Sequence, residues 1–240
     1  MVDSGLVGPA ESAALDEAIL EARLEGTVPS TLHFYVRSGP TISLGYFQKV
    51  DETVNTGECR KLGVTIVRRR SGGSSIFTDQ GQLIYALVFK ANELQHDREG
   101  CFRAVLSPLA EAISRLGVDA RYRPMNDIEI GGRKVSGSAQ LRVKDAVLIH
   151  GTVILDTDLE AMDRVLRSKV SQKPSERVTT IVREAGTNID MSRLKAEVVK
   201  SLGSALSVDF EKAEMTPYER EAVEKLVADR YGRDEWNSKF

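Results

Sequence analysis

Arg68-Arg69-Arg70-Ser71-Gly72-Gly73-Ser74-Ser75-Ile76-Phe77 sets three cations and a run of small residues between two apolar stretches, Val64 to Val67 before it and Leu83 to Phe89 after it. That order predicts a strand, a loop and a further strand. Gly72 and Gly73 open backbone conformations closed to other residues, so successive N–H groups can converge on an anion, and a phosphate is the anion expected. The arginines add charge and forked donors, although in a strand only alternate ones share a face, so not all three reach the loop. The stretch is neither a P-loop, which needs Gly-Lys-Ser or Gly-Lys-Thr, nor a dinucleotide fingerprint opening a helix. Its plain alternative is a surface turn at the end of a solvated basic strand.

The chain has 240 residues, enough for one substantial core, and residues 1–240 read as one domain. The 33 basic and 35 acidic residues nearly cancel, which argues against a protein that coats nucleic acid. No apolar run has the length of a membrane span and no secretory pattern opens the chain, so a cytoplasmic location is expected. Cys59 and Cys101 lack metal-ligand spacing and read as buried small hydrophobes. With only His33, His96 and His150 present, no histidine metal cluster is evident.

Outward from the loop, apolar residues at helical spacing predict a helix over 11–24 with its acids on the far face. Two short strands follow at 32–36 and 41–44, and Leu44-Gly45-Tyr46-Phe47-Gln48 leaves the second, either lining a pocket or covering the sheet edge. A short helix over 55–62 leads to the basic strand. Residues 75–77 resume an extended run, and 83–89 is apolar enough to be a central strand. A helix marked by Phe102 to Leu116 contains Pro108, which predicts a kink or a start just before it.

The second chemical stretch is Asn126-Asp127-Ile128-Glu129-Ile130-Gly131-Gly132-Arg133-Lys134-Val135-Ser136-Gly137-Ser138-Ala139-Gln140. Alternation on both sides of Gly131-Gly132 predicts a tight hairpin whose second strand carries Lys134, Ser136, Ser138 and Gln140 on one face. A lysine among small residues leaves room for a ligand, and its ammonium suits a carboxylate and a phosphate together. Residues 146–155 read as a strand pair or one bulged strand interrupted at His150-Gly151-Thr152. Beyond them the sequence predicts a helix over 158–166 capped by Asp156 or Thr157, a mobile polar loop over 168–177, a helix over 191–206, a short strand at 208–210 and a helix over 216–231.

Taken in order, Arg-Arg-Arg-Ser-Gly-Gly, Asn126-Asp127-Ile128, Gly132-Arg133-Lys134-Val135-Ser136-Gly137-Ser138-Ala139-Gln140 and His150-Gly151-Thr152 resemble the lipoate-protein ligase family. Leu15-Asp16-Glu17-Ala18, Leu44-Gly45, Gln48 and Glu235-Trp236-Asn237 extend the resemblance over nearly the whole chain. It implies an α+β fold, a mixed and mainly antiparallel sheet flanked by helices as in biotin-protein ligases and class II aminoacyl-tRNA synthetases. It implies activation of lipoate, or octanoate, with ATP and Mg2+ to an acyl-adenylate, then transfer to a lysine of a lipoyl carrier domain. On that reading Lys134 is the catalytic cation between acyl carboxylate and α-phosphate. The nucleotide is held by Arg69, Arg70, Gly72, Gly73, Ser74, Ser75, Ile76, Phe77, Asn126, Asp127 and Lys134, with Asp127 helping to hold magnesium. The acyl chain is met by Leu44, Gly45, Tyr85, Ser136, Gly137, His150, Gly151 and Thr152.

The chain departs from the family's pattern at Ser74, commonly glycine, and at Thr78, commonly histidine. It ends where longer ligases continue into an accessory domain, which predicts a separate small accessory subunit. The related octanoyltransferases carry a cysteine near the Lys134 hairpin or after the 158–166 helix, and residues 122–130 and 168–180 contain none, which favours the ligase over the transferase. A silent module that binds acyl-adenylate or carrier is the reading from another class. Arg167, Lys169, Lys173 and Arg177 are candidates for steering an acidic carrier, or simply a solvated basic loop.

Overall fold

In the computed structural model, which describes residues 1–94, 97–168 and 170–240, the elements run in the order β1 (Val2–Val7), α1 (Pro9–Leu24), β2 (Thr31–Arg37), β3 (Thr41–Leu44), α2 (Val50–Thr53), α3 (Thr56–Lys61), β4 (Thr65–Arg68), β5 (Ile76–Thr78) and β6 (Gln82–Lys90). They continue with α4 (Ala91–Leu94), α5 (Arg98–Ser114), β7 (Ala120–Arg123), β8 (Asp127–Ile130), β9 (Arg133–Val143), β10 (Ala146–Ile154), α6 (Leu159–Val165) and α7 (Pro174–Arg177). The last are α8 (Ile181–Ala185), α9 (Met191–Leu206), α10 (Pro217–Leu226), which runs on as one π turn over Val227–Tyr231, and α11 (Asp234–Asn237). His96 and Lys169 lie outside the described residues.

Seven strands form one sheet in the order β1-β2-β6-β10-β9-β8-β7, antiparallel except for the β1–β2 pair. A smaller sheet, β4-β3-β5, holds the basic strand and the far end of the glycine loop. The expected α+β arrangement, a mixed and mainly antiparallel sheet with helices on it, is the one observed. Strand alternation divides the large sheet's side chains between two cores. Leu83, Tyr85, Leu87 and Phe89 of β6 join Val147, Ile149 and Val153 of β10 under α5. Ala86 and Val88 join Ala146 and Leu148 under Ile19 and Leu20 of α1.

Several expectations change. Asp16 and Glu17 are buried rather than on a solvent face, because α1 is enclosed nearly all round by the sheet and α10. Pro108 lies inside α5, which starts ten residues before it. Residues 146–154 form one strand with unbroken register through His150-Gly151-Thr152. The cap of α6 is Asp158, whose side chain accepts from the Ala161 N–H at 2.8 Å. Part of the loop over 168–177 is helical, as α7, and residues 208–210 are not a strand; Phe210 packs against the α5 core instead. The edge strands β1 and β7 carry too few apolar residues to announce themselves.

Candidate active site

The hairpin turns at Gly131 and Gly132, both with positive φ (56° and 77°), which only glycine adopts without strain. In the β8–β9 pair Ile128 faces Ser136 while Glu129 faces Lys134, so Val135 is one extra residue, a bulge. The bulge decides which way Lys134 points. Val135 joins the α5 core, as do Ile128 and Val153, the two partners of Ser136, whereas Lys134 turns to the opposite face. The expected row of Lys134, Ser136, Ser138 and Gln140 therefore does not form. Lys134 instead lies over Gly137, which pairs with Thr152, two residues from His150 on the same side of β10.

A β-carbon added at Gly137 would fall well inside 3.0 Å of the Cε and Nζ of Lys134, so glycine is what leaves room for the side chain. The Lys134 ammonium is 2.7 Å from Asp127 Oδ1 and its side chain is 35% exposed. The other carboxylate oxygen, Oδ2, is 2.5 Å from Arg123. With a cation on each oxygen Asp127 is a poor magnesium ligand, and among the described residues no group of three or more His, Cys, Asp or Glu comes together to hold a metal. Asn126 is beside this pair but directed to the strand, its amide donating to Ser138 O at 2.5 Å.

The arginine run does not present an open phosphate cradle. Arg68 is fully buried and donates to the carbonyls of Gly45, Tyr46, Gln48, Trp236 and Asn237. Arg69 donates to Ser43 O, Gly72 O and Ser74 O at 2.8 Å each, so it laces the glycine loop to β3, and burial pushes its guanidinium down to about 10. Arg70 pairs at 2.6 Å with Glu17, which also holds Arg230 and Tyr231. A nucleotide at Gly72, Gly73, Ser74, Ser75, Ile76 and Phe77 would meet arginines already committed to protein acceptors. Ser75 bonds Thr53, Ile76 pairs with Ser43, and Phe77 is buried beside Leu44. Arg69, Arg70 and Asp127 are thus each engaged by protein groups in this arrangement.

The residues expected around the acyl chain are divided between different cores and sheet faces. Leu44 is buried in the small-sheet core, Gly45 is pressed against the carbonyl of Gly73, and Tyr85 lies in the α5 core. The Tyr85 hydroxyl is 2.6 Å from Ser138 Oγ, and burial raises its pKa. Gly151 sits between Gly137, Ser138 and Tyr85, where a side chain would collide. Alternation along β6 and β10 sends Tyr85 and Gly151 away from Lys134, and keeps Thr152 and His150 with it.

His150 joins two residues that sequence reasoning left out of the site. Its Nε2 is 2.7 Å from Ser71 Oγ and its Nδ1 is 2.6 Å from Asp16 Oδ2. The second oxygen of Asp16 lies 3.7 Å from Nδ1 of His33. Burial alone would raise the Asp16 pKa, but the bonds from His150 and His33 outweigh it and hold the carboxyl at about 2. The available signal was the acidic pair Asp16-Glu17 set directly between the apolar positions Leu15 and Ala18 of α1. Both cysteines are remote from this face, Cys59 in the small-sheet core and Cys101 on the buried side of α5. Lys134 also meets the α7 region, its carbonyl accepting from Thr179 N–H at 2.9 Å. Of the basic residues there, Lys173 and Arg177 are exposed, whereas Arg167 donates to Val54 O.

The Lys134 ammonium over Gly137 and the chain of Ser71, His150 and Asp16 thus share one face of the mixed sheet. The pattern of the lipoyl protein ligase A/B catalytic domain matches residues 8–203, and the chain belongs to that enzyme family. Octanoyltransferase LipM of Anoxybacillus flavithermus is 30% identical over 270 residues, covering 99% of this chain and 97% of that protein. Octanoyltransferase LipM of Carboxydothermus hydrogenoformans is 30% identical over 259 residues, covering 96% and 95%. A structure described as a bi-partite lipoate protein ligase and its E2 lipoyl domain from Thermoplasma acidophilum superposes with a TM-score of 0.85 at 25% identity, covering 99% of this chain and 96% of that one. The relatives overturn the expected activity. The curated relatives at 30% identity along nearly their whole length are octanoyltransferases, whereas the lipoate protein ligase shares the fold at 25% identity, and the absence of a cysteine near Lys134 does not outweigh those relatives. Among the described residues no helix is long and apolar enough to cross a membrane.

Proposed function

We propose that this chain is an acyltransferase that moves a pre-activated octanoyl or lipoyl group from a carrier thioester to one lysine of a lipoyl carrier domain. The observation that carries the reading is the ammonium of Lys134, held 2.7 Å from Asp127 over Gly137, with relatives that are octanoyltransferases along the whole chain. A fixed cation beside the thioester carbonyl stabilises the negative charge that grows on its oxygen under attack. In the net reaction the carrier amine forms an amide bond, the C–S bond breaks, and the thiol leaves with a proton. Asp127 orients the ammonium and balances its charge between turnovers. Exposed Lys173 and Arg177, on the segment next to the Lys134 strand, suit the approach of an acidic carrier.

ATP and Mg2+ have no step in this transfer, and residues 1–240 act as one catalytic domain. The accessory subunit expected from the ligase resemblance served adenylation, and the transfer does not call on it. The test is to incubate the purified chain with octanoyl-acyl carrier protein and a lipoyl domain, and to weigh the lipoyl domain. One added octanoyl group is expected, without ATP and lost in Lys134→Ala. Product formed only from free acid and ATP, or transfer indifferent to Lys134, refutes the reading.

A further inference from the structure

The transferase reading leaves a chemical vacancy, because neither cysteine reaches the face that carries Lys134. Ser71 lies on that face. Its Oγ is 2.7 Å from Nε2 of His150, whose Nδ1 is 2.6 Å from Asp16 Oδ2. A carboxylate only accepts, so Nδ1 carries the hydrogen, and a neutral His150 is left with Nε2 to accept the Ser71 hydroxyl proton. That is a nucleophile, a base and an orienting acid joined in sequence, the arrangement that activates a hydroxyl in unrelated hydrolases.

The surroundings support chemistry at Ser71. His150 is flanked across the strands by Ala86 and Ala139, which leave space for its ring. The Nε of Arg69 donates to Ser71 Oγ at 3.1 Å, so a guanidinium stands where an alkoxide would develop charge. The backbone of Ser71 is fixed by the Tyr46 N–H, which donates to its carbonyl at 2.9 Å. Ser71 itself is buried, and the loop next to it is open at Gly72, where nothing lies within 4 Å of an added side chain. Lys134 reaches the same face near Thr152, two residues and ~7 Å along β10 from His150.

We infer that Ser71 is the nucleophile of this chain, activated by His150 and oriented through Asp16, and that it carries the acyl group as an ester between donor and acceptor. The inference rests on the transferase reading. Ser71 Oγ attacks the thioester carbonyl while its proton passes to His150 Nε2. The C–S bond breaks, the sulfur takes that proton, and acyl-Ser71 and a free thiol result. The neutral amine of the carrier lysine then attacks the ester carbonyl and gives a proton to His150. The C–O bond breaks, Ser71 recovers the proton, and an amide leaves. No oxidant, reductant or nucleotide is needed. Asp16 is a positioning residue, and Arg69 and Lys134 bear on the charge that develops.

The experiment loads the full chain with excess octanoyl-acyl carrier protein in the absence of acceptor and weighs it intact. The expected result is one octanoyl group per chain, mapped by peptide fragmentation to Ser71 and discharged when lipoyl domain is added. Ser71→Ala and His150→Ala abolish the adduct, whereas Ser71→Cys restores it as a thioester that neutral hydroxylamine cleaves quickly. Asp16→Asn slows acylation by up to ~10⁴-fold, the loss seen for a misdirected triad histidine. If wild type modifies the lipoyl domain, shows no adduct and loses nothing in Ser71→Ala, the inference is overturned and the transferase reading stands. An adduct on another residue, or activity that needs Ser71 without any adduct in wild type, also overturns it and leaves Ser71 a structural tie. If wild type neither forms an adduct nor modifies the lipoyl domain, both fall.

Discussion

Gly137→Ala separates the position of the Lys134 ammonium from the stability of the fold. The φ of Gly137 is not in the left-handed region, so alanine fits the strand backbone, and its lower unfolded-state entropy adds about 0.4–1 kcal/mol of stability. The new methyl would overlap Cε and Nζ of Lys134, the flexible end of a side chain that is 35% exposed and free to swing outward. That swing costs the ion pair with Asp127, roughly 0–1 kcal/mol for a pair with one partner this exposed, and Asp127 keeps Arg123. The two contributions nearly cancel, so the unfolding midpoint should stay within about 1 kcal/mol of wild type. The rate should not. A cation displaced from the developing oxyanion typically loses about 10²–10³-fold in turnover. Octanoyl transfer to a lipoyl domain under single-turnover conditions, alongside urea denaturation, measures both. A Gly137→Ala protein that transfers at the wild-type rate, while Lys134→Ala is dead, refutes the placement of the ammonium over Gly137.

Asp16 faces His150 and His33, with Arg37 and Tyr35 adding their fields, and its pKa of about 2 lies below the ordinary 3.8. A depressed carboxyl stabilises the fold above the unfolded pKa, so wild type should lose about 2 kcal/mol relative to Asp16→Asn as pH falls from 4 to 2, read by denaturant unfolding. A gap that stays constant across that range contradicts the ion-paired assignment. Arg68→Met leaves five carbonyls without their buried donor, and should cost about 3–5 kcal/mol in thermal unfolding and loosen the segment around Trp236. Tyr85→Phe removes a bond on the face away from Lys134; it should cost about 1 kcal/mol and leave the preferred acyl chain length unchanged in a competition between acyl thioesters. A changed preference would return Tyr85 to the acyl site.

What was legible in the sequence was local. The Gly131-Gly132 turn, the apolar run of β6 and the periodicity of α9 each follow from a few neighbouring residues, and each lies where expected. What failed needed a pairing or packing partner that the local pattern does not name. Alternation alone assigns Lys134 to the side of Ser136; only pairing with β8 reveals the extra residue at Val135. The arginine run shows the same limit. Three adjacent cations suggest an anion, but Glu17, Trp236 and Asn237, which satisfy two of them, come from opposite ends of the chain. Asp16 was hidden for a related reason, since helical periodicity assigns an acid to solvent unless the helix is enclosed on every side.

The bulge links these failures to function. If the strand alternated through Val135 without a bulge, Lys134 would share the core side with Ser136, among Leu, Ile and Val side chains, where an unpaired charge is costly enough to be neutralised or expelled. With it, one register shift delivers the cation to the face that already holds His150 and Ser71, and gives it Asp127 as a partner on the adjacent strand. Gly137 then has to be small because the lysine stem crosses it, and Thr152 and His150 share its side by alternation. The small residues around Lys134 are therefore a consequence of where one strand gains a residue. Deletion of Val135 would leave Lys134 opposite Glu129, away from the core, and is expected to cost only the core contacts of one valine and the local kink, whereas its replacement by another apolar residue would be tolerated.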